Sequence, residues 1–271
     1  MNSGNNNAAI SNSLFNRTYS SGSGGSVYMN SGNNNATISN SLFNGTYSSG
    51  SGGSVYMNSD NNNAAISNSL FNGTHAMYFA GSLYFGRNNL NPEITNSVFT
   101  KTYANYGGSL YFGRGDNHNA RVTSAVFNGT RALYEGGSIY FGSLNNNVTI
   151  MHSTFNNASA VFSGGCIYVD ESENYTFSYA QFSGCSAKSG GAVYLKNAPN
   201  ISIVNSVFTA NNALVGSGFY VFSSNLVKLT NTTFYKNIGL KAGAAVYATG
   251  LSNATFDVCN FTKNTALDGG R

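Results

Sequence analysis

Phe127-Asn128-Gly129-Thr130-Arg131-Ala132-Leu133-Tyr134-Glu135-Gly136-Gly137-Ser138-Ile139-Tyr140-Phe141 decides the fold, because the rest of the chain repeats its pattern. Phe recurs at 15, 43, 71, 99, 127, 155, 182, 208, 234 and 261, at spacings of 28, 28, 28, 28, 28, 27, 26, 26 and 27. Tyr follows in step at 28, 56, 84, 111, 140, 168, 194, 220 and 247, each 12 or 13 residues behind its Phe. A register held over ten units is the signature of a solenoid, in which each unit buries its apolar face against its neighbours. The units are too short for helix pairs and poor in Leu, Glu and Lys. Their Gly, Asn, Ser, Thr, Val, Ile, Phe and Tyr suit short strands joined by turns. The expected architecture is all-β: a right-handed parallel β-helix of about ten coils, 26–28 residues each, with three short strands per coil. At about 4.8 Å per coil the rod is some 50 Å long.

Within the strand after the glycines, the residue before each Tyr is apolar (Val27, Val55, Leu83, Leu110, Ile139, Ile167, Val193, Phe219, Val246), and so is the residue after it. A period of two points these flanking side chains inward and sets Tyr28, Tyr56, Tyr84, Tyr111, Tyr140, Tyr168, Tyr194, Tyr220 and Tyr247 in one row on an outer face. Gly pairs such as Gly136-Gly137 open that strand, where a tight corner calls for positive φ. Five residues after each Phe stands a small residue, usually Ala (Ala76, Ala104, Ala132, Ala160, Ala187, Ala213, Ala266), as a narrow corner requires. Asn12, Asn40, Asn68, Asn96, Asn205 and Asn231, three residues before Phe, are expected to form a coil-to-coil ladder and to accept the left-handed conformation.

Composition narrows the function. The chain of 271 residues has 41% hydrophobic, 14% aromatic and only 8% charged residues, with net charge +4. That aromatic content argues against disorder. The charges form no basic run, and the first 86 residues carry only Arg17 and Asp60. Nucleic-acid binding, which needs clustered Lys and Arg against phosphate, is therefore set aside. No stretch of about 18 apolar residues offers a spanning helix, so membrane contact is expected only through an anchor outside the chain.

The unit F-x-x-[N/T]-x-A-x-x-x-G-G-x-[V/I]-Y resembles the polymorphic outer-membrane protein repeats of chlamydiae, defined by FxxN and GGA[ILV] motifs. FxxN appears here at Phe208–Asn211, Phe234–Asn237 and Phe261–Asn264, and the glycine motif at Gly190-Gly191-Ala192-Val193. The amino-terminal units depart from it, with Thr18, Thr46, Thr74, Thr102 and Thr130 at the asparagine position and Ser after the glycines. The resemblance implies an extracellular β-helix, often an adhesive passenger domain. Twelve Asn-x-Ser/Thr sequons, Asn16, Asn44, Asn72 and Asn128 among them, would be glycosylated in part in a eukaryotic secretory pathway.

Residues 2–29 and 30–57 differ only at Ala9/Thr37 and Arg17/Gly45. This near-identity reads Met1 as the counterpart of Met29, and Asp268-Gly269-Gly270-Arg271 stops where the next strand is due. Residues 1–271 are thus expected to be a single β-helix domain, an interior fragment lacking both caps.

Parallel β-helices include pectin-degrading enzymes, whose acids are grouped on neighbouring coils. Here only Asp170, Glu171 and Glu173 lie close in sequence, in one turn, and read as a solvated turn. His75, His118 and His152 fall at different repeat positions, which argues against a metal or triad site. Cys166, Cys185 and Cys259 also differ in position; the odd count implies no disulfide framework, and a 166–185 bond stays open. Arg114-Gly115-Asp116 matches the integrin-binding tripeptide in a loop that could hold guanidinium and carboxylate apart. The Tyr row is either a structural strand ladder or a contact face for sugar or protein. The Thr row suggests ice binding only faintly.

The expectation is a non-enzymatic, cell-surface rod attaching to a host-cell or matrix protein or a surface glycan, with no cofactor, metal or catalytic residue. Its candidate binding residues are Arg114, Gly115, Asp116 and the nine tyrosines. The alternative is a polysaccharide-binding or polysaccharide-degrading β-helix whose catalytic coils lie outside this stretch.

Overall fold

The computed structural model describes residues 3–268; Met1 and Gly269-Gly270-Arg271, on which the fragment reading turns, lie outside the described residues. The chain is an all-β, right-handed parallel β-helix. Taking the coil of Phe127, the strands are Val126–Asn128, Arg131–Glu135, Ile139–Phe141 and Val148–Met151. Every strand pairs in parallel with its counterparts one coil away, as in Phe99↔Phe127↔Phe155 and Tyr111↔Tyr140↔Tyr168. Three sheets result among the described residues, of 17, 10 and 10 strands. We call them the tyrosine, phenylalanine and corner sheets.

The three sheets are the three faces expected of each coil, and the tyrosine face has the larger strand count because a bend divides it. Most coils carry two strands there on either side of a bend, while Phe219–Thr230 and Val246–Asp257 are continuous strands of 12 residues that turn at Ser223 (φ 52°) and Gly250 (φ 65°).

The alternation read from sequence holds. The ten repeat Phe side chains stack face to face inside the rod, ring centroids 4.6–5.1 Å apart from Phe15 to Phe261. The residues flanking each Tyr are buried from Val27 through Val221. The corner residues Ala76, Ala104 and Ala132 are buried too. Gly136 has φ 65°, and a Cβ on Gly137 would stand 2.0 Å from the Gly165 carbonyl oxygen of the next coil. The first glycine therefore supplies a left-handed turn and the second permits close backbone approach.

The asparagine ladder is only partly where it was expected. Asn12, Asn40, Asn68, Asn96, Asn205 and Asn231 all take positive φ, and Asn231 Nδ2 donates to Asn205 Oδ1 at 2.7 Å. A longer exposed ladder runs through Asn7, Asn35, Asn63, Asn91, Asn119, Asn147, Asn174 and Asn200, each Nδ2 donating to Oδ1 one coil before. A third column, Asn33, Asn61, Asn89, Asn117 and Asn145, is fully buried. The oxygens of Asn33, Asn61, Asn89 and Asn117 accept the backbone N–H of the preceding coil, as Asn117 Oδ1 does from Asn89 at 2.9 Å.

Both departures from the chlamydial pattern have one cause. The Thr after Phe and the Ser after the glycines face each other inside, Thr46–Ser54, Thr74–Ser82, Thr102–Ser109 and Thr130–Ser138, at 2.6–2.7 Å between hydroxyls. In the later coils Asn211 donates to Asn237 and Asn237 to Asn264 across coils, so the facing residue no longer needs a polar group and is Gly218 or Ala245. The Thr row is interior and presents nothing to ice. Cys166 holds the Ser position and Cys185 the Thr position of the following coil. They are joined as a disulfide with Cα atoms 5.8 Å apart, resolving the pairing that sequence left open.

Candidate functional site

The nine repeat tyrosines form one column on the outer face, ring centroids 4.5–5.4 Å apart and nearly parallel. Stacking uses the ring faces, so the row offers edges and hydroxyls outward, one per coil. It is not evenly exposed: Tyr28 is 42% accessible, Tyr168 only 5%. What covers the middle of the row is the column just before the glycines, Phe79, Tyr106, Glu135, Ser163 and Ser189. These residues bridge one coil to the next at the edge of the corner sheet. Phe79 leans on Tyr111 at 4.6 Å and 37°, and Tyr106 meets Tyr140 edge-on at 5.8 Å. The two columns run side by side along the rod as two walls in contact, the second aromatic at coils three and four through Phe79 and Tyr106. Beyond Glu135 the second wall drops to the small Ser163 and Ser189.

Charge gathers at that step. Asp170 follows Tyr168 by two residues, on the same outer side, and pairs in register with Lys196. Lys196 Nζ lies 3.0 Å from Asp170 Oδ1, an oxygen shut off from solvent that accepts no well-directed hydrogen bond. Glu135, part-buried on the other side of the row, is pushed up to about 7 by burial, then by the Asp170 charge, with Lys196 opposing. The same burial, with the two carboxylates adding to it, holds Tyr140 and Tyr168 well above the ordinary phenol value and moves Tyr194 up to about 12. Glu135 and Asp170 thus act on each other and on one set of phenols.

Glu135 sets a pH dependence of stability. Its acid is weaker folded than unfolded, so the folded chain keeps a proton that the unfolded chain releases. The stabilisation is complete below about 4.5 and is lost as pH rises through about 7. Solvent screening of this part-buried group leaves about 1 kcal/mol. Glu135→Gln should match the parent in thermal unfolding at pH 5 and exceed it by about that amount at pH 8. Equal stability at both pH values would show that Glu135 is not desolvated.

The other sequence candidates do not join this cluster. Arg114 and Asp116 are exposed, and Arg114 Nε donates to Ser143 Oγ at 3.4 Å while Asp116 lies 3.5 Å from His118 Nε2. The segment does not project as a loop: Gly115 and Asp116 N–H donate to Ser143 and Leu144 of the next coil, and Gly115 accepts from Asn88. The tripeptide is one rung of the solenoid. Glu171 is exposed and Glu173 half-exposed, as read, but Asp170 turns away from them to the tyrosine face. Sequence reasoning passed over Glu135, Lys196 and Tyr106. Their signal was their register: Tyr106 and Glu135 stand immediately before a corner glycine, and Asp170 and Lys196 both lie two residues after a row Tyr.

Residues 142–270 match the family described as a right handed beta helix region. No curated protein matches the chain. Among solved structures, the A-module of the Azotobacter vinelandii mannuronan C-5 epimerase AlgE4 is similar at 12% identity and TM-score 0.45, over 92% of this chain and 89% of that one. The A-module of AlgE6 from the same organism is similar at 10% identity and TM-score 0.40, over 92% and 91%. The catalytic unit of an α-1,3-glucanase from Streptomyces thermodiastaticus is similar at 9% identity and TM-score 0.39, over 89% of this chain and 50% of that chain. These three are polysaccharide-modifying enzymes, and the expectation that the chain is not an enzyme is withdrawn on that finding. The expectation rested on the acids being scattered in sequence.

Proposed function

We propose that this chain binds extended polysaccharide along the tyrosine row and the aromatic column beside it, and that a surface-borne rod attaches to glycan through them. The observation that carries this reading is the pair of aromatic columns, Tyr84, Tyr111 and Tyr140 against Phe79 and Tyr106. Tilted rings there leave apolar faces for sugar C–H groups, while the stacked phenols supply hydroxyls for hydrogen bonds. Coils repeat at about 4.8 Å, close to the advance of an extended pyranose chain per sugar. One sugar per coil can therefore meet the same chemistry repeatedly. A carbohydrate ligand fits the tyrosine residues better than it fits Arg114-Gly115-Asp116, whose backbone is tied down on both sides.

Binding to immobilised glucans, xylan, chitin, polygalacturonate and mannuronan, followed by affinity electrophoresis, tests the reading. Phe79→Ala combined with Tyr106→Ala should weaken retention about tenfold or more, since two ring contacts contribute about 1–3 kcal/mol together. Arg114→Ala should leave it unchanged. Indifference to the double substitution, or retention on none of these polymers, would sink it.

A further inference from the structure

We infer that the outer face of the corner sheet is a docking surface for an anionic lipid bilayer, along which the rod lies lengthwise. The inference does not depend on the glycan reading, since it uses other residues on another face.

Charge is divided around the rod. Arg17, Lys101, Lys236 and Lys263 occupy one column, the left-handed turn that leads from the phenylalanine sheet into the corner sheet, at φ 53–56°. Arg131, Lys188 and Lys241 stand on strands of the corner sheet itself. All are exposed, and among the described residues no ion pair engages any of them. Asp60, Glu93, Asp116, Asp257 and the Asp170–Glu173 turn lie instead on the tyrosine sheet and its bends. Glu135, at the corner-sheet edge, acts on the tyrosine row, which leaves Asp268 at the last described coil as the exception. The turn itself does not call for a cation. Gly45, Gly73 and Gly129 serve it in other coils, where glycine takes positive φ without strain.

Apolar side chains share this basic face. Tyr19, Tyr78, Val161, Phe162, Ile238 and Leu240 are 41–62% accessible, on or beside the same strands. Ten strands pair in parallel without a break, giving a face about 45 Å long. Exposed aliphatic and aromatic groups set among lysines suit the headgroup region. The apolar groups enter it, while the lysine stems lie along them and hold their ammonium groups at the lipid phosphates. Such contact needs no spanning segment. A second copy of the chain would bring like charges together on this face, which disfavours self-association through it.

Co-sedimentation of the intact chain with vesicles of phosphatidylcholine, alone or mixed with phosphatidylglycerol, tests the inference. Expected is binding to the mixed vesicles, weak binding to the neutral ones, and loss of the difference in high salt. Lys101→Gly, Lys236→Gly and Lys263→Gly together should weaken binding about 100-fold, at roughly fivefold per cation. Arg121→Ala with Lys228→Ala, on the tyrosine sheet, should change it less than about threefold. Phe162→Ser with Leu240→Ser should weaken it about tenfold, because apolar area no longer enters the lipid. These positions are exposed, so melting should hardly move in any variant. Equal loss from the two sets of cation substitutions would mean that net charge alone acts, and overturns the face. Vesicle binding indifferent to Phe162→Ser and Leu240→Ser, with equal affinity for dextran sulfate, would make this a site for a soluble polyanion and overturns the lipid. Binding no stronger to mixed than to neutral vesicles overturns both.

Discussion

Phe127→Ala is expected to cost about 3–5 kcal/mol of stability, as much as any single truncation in the buried Phe column. Phe127 is fully buried, stacked on Phe99 at 4.9 Å and on Phe155 at 4.7 Å. Most cores relax into such a hole, which lowers the cost. Here the coils above and below are fixed by backbone ladders in all three sheets, so the walls cannot move inward and the cavity persists. Phe261, 47% exposed at the last described rung, is the internal control. Its truncation should cost about 1 kcal/mol or less, because little area is removed from burial. Denaturant unfolding would show the midpoint falling for Phe127→Ala with the slope unchanged. Similar small losses at both positions would mean that the Phe column is not the core of the rod.

Asn117→Leu should cost nearly as much, about 3–5 kcal/mol, although the two side chains are close in size. Asn117 makes no use of its volume alone. Its Oδ1 accepts the N–H of Asn89 at 2.9 Å, and its Nδ2 donates to the carbonyls of Gly86 at 2.7 Å and Gly113 at 3.1 Å. Leucine would leave these three buried backbone groups without that partner, at about 1–3 kcal/mol for each one left unsatisfied, incompletely additive. Asn119→Leu, in the exposed ladder two residues on, should cost under about 1 kcal/mol because water replaces the lost bonds. Hydrogen exchange at the Asn89 amide gives a local reading. Faster exchange there than elsewhere in the coil is expected, and unchanged protection in a stable Asn117→Leu protein would count against the account.

The asparagines show how far the sequence could be read. Asparagine at several fixed places in the unit is evident by eye, and the left-handed turn at Asn12, Asn40, Asn68 and Asn96 follows from residue preference. Which column is buried does not, because strand and bend positions in the loop between Tyr and the next Phe have no apolar alternation to set their direction. The same gap hid the Thr–Ser pairs. Both residues are small and polar, and their inward direction is fixed only when two corners of one coil close on each other.

The amino-acid sequence by itself determined the β-helix, its number of coils, the inward Phe column and the outward Tyr row. Each of these follows from local alternation repeated at a constant period, so that every unit testifies to the same answer. The tertiary structure alone decided the Cys166–Cys185 bond, the anchoring of Arg114-Gly115-Asp116 within the solenoid, and the meeting of Glu135, Asp170 and Lys196 over Tyr140 and Tyr168. Lys196 repeats the place of Asp170 one coil on, but Glu135 and Asp170, like Cys166 and Cys185, stand at different places in the unit and on successive coils. No period relates them; they come together because the pitch of the helix lays one corner of a coil beside the next coil's strand, and the burial that results there weakens the Glu135 acid.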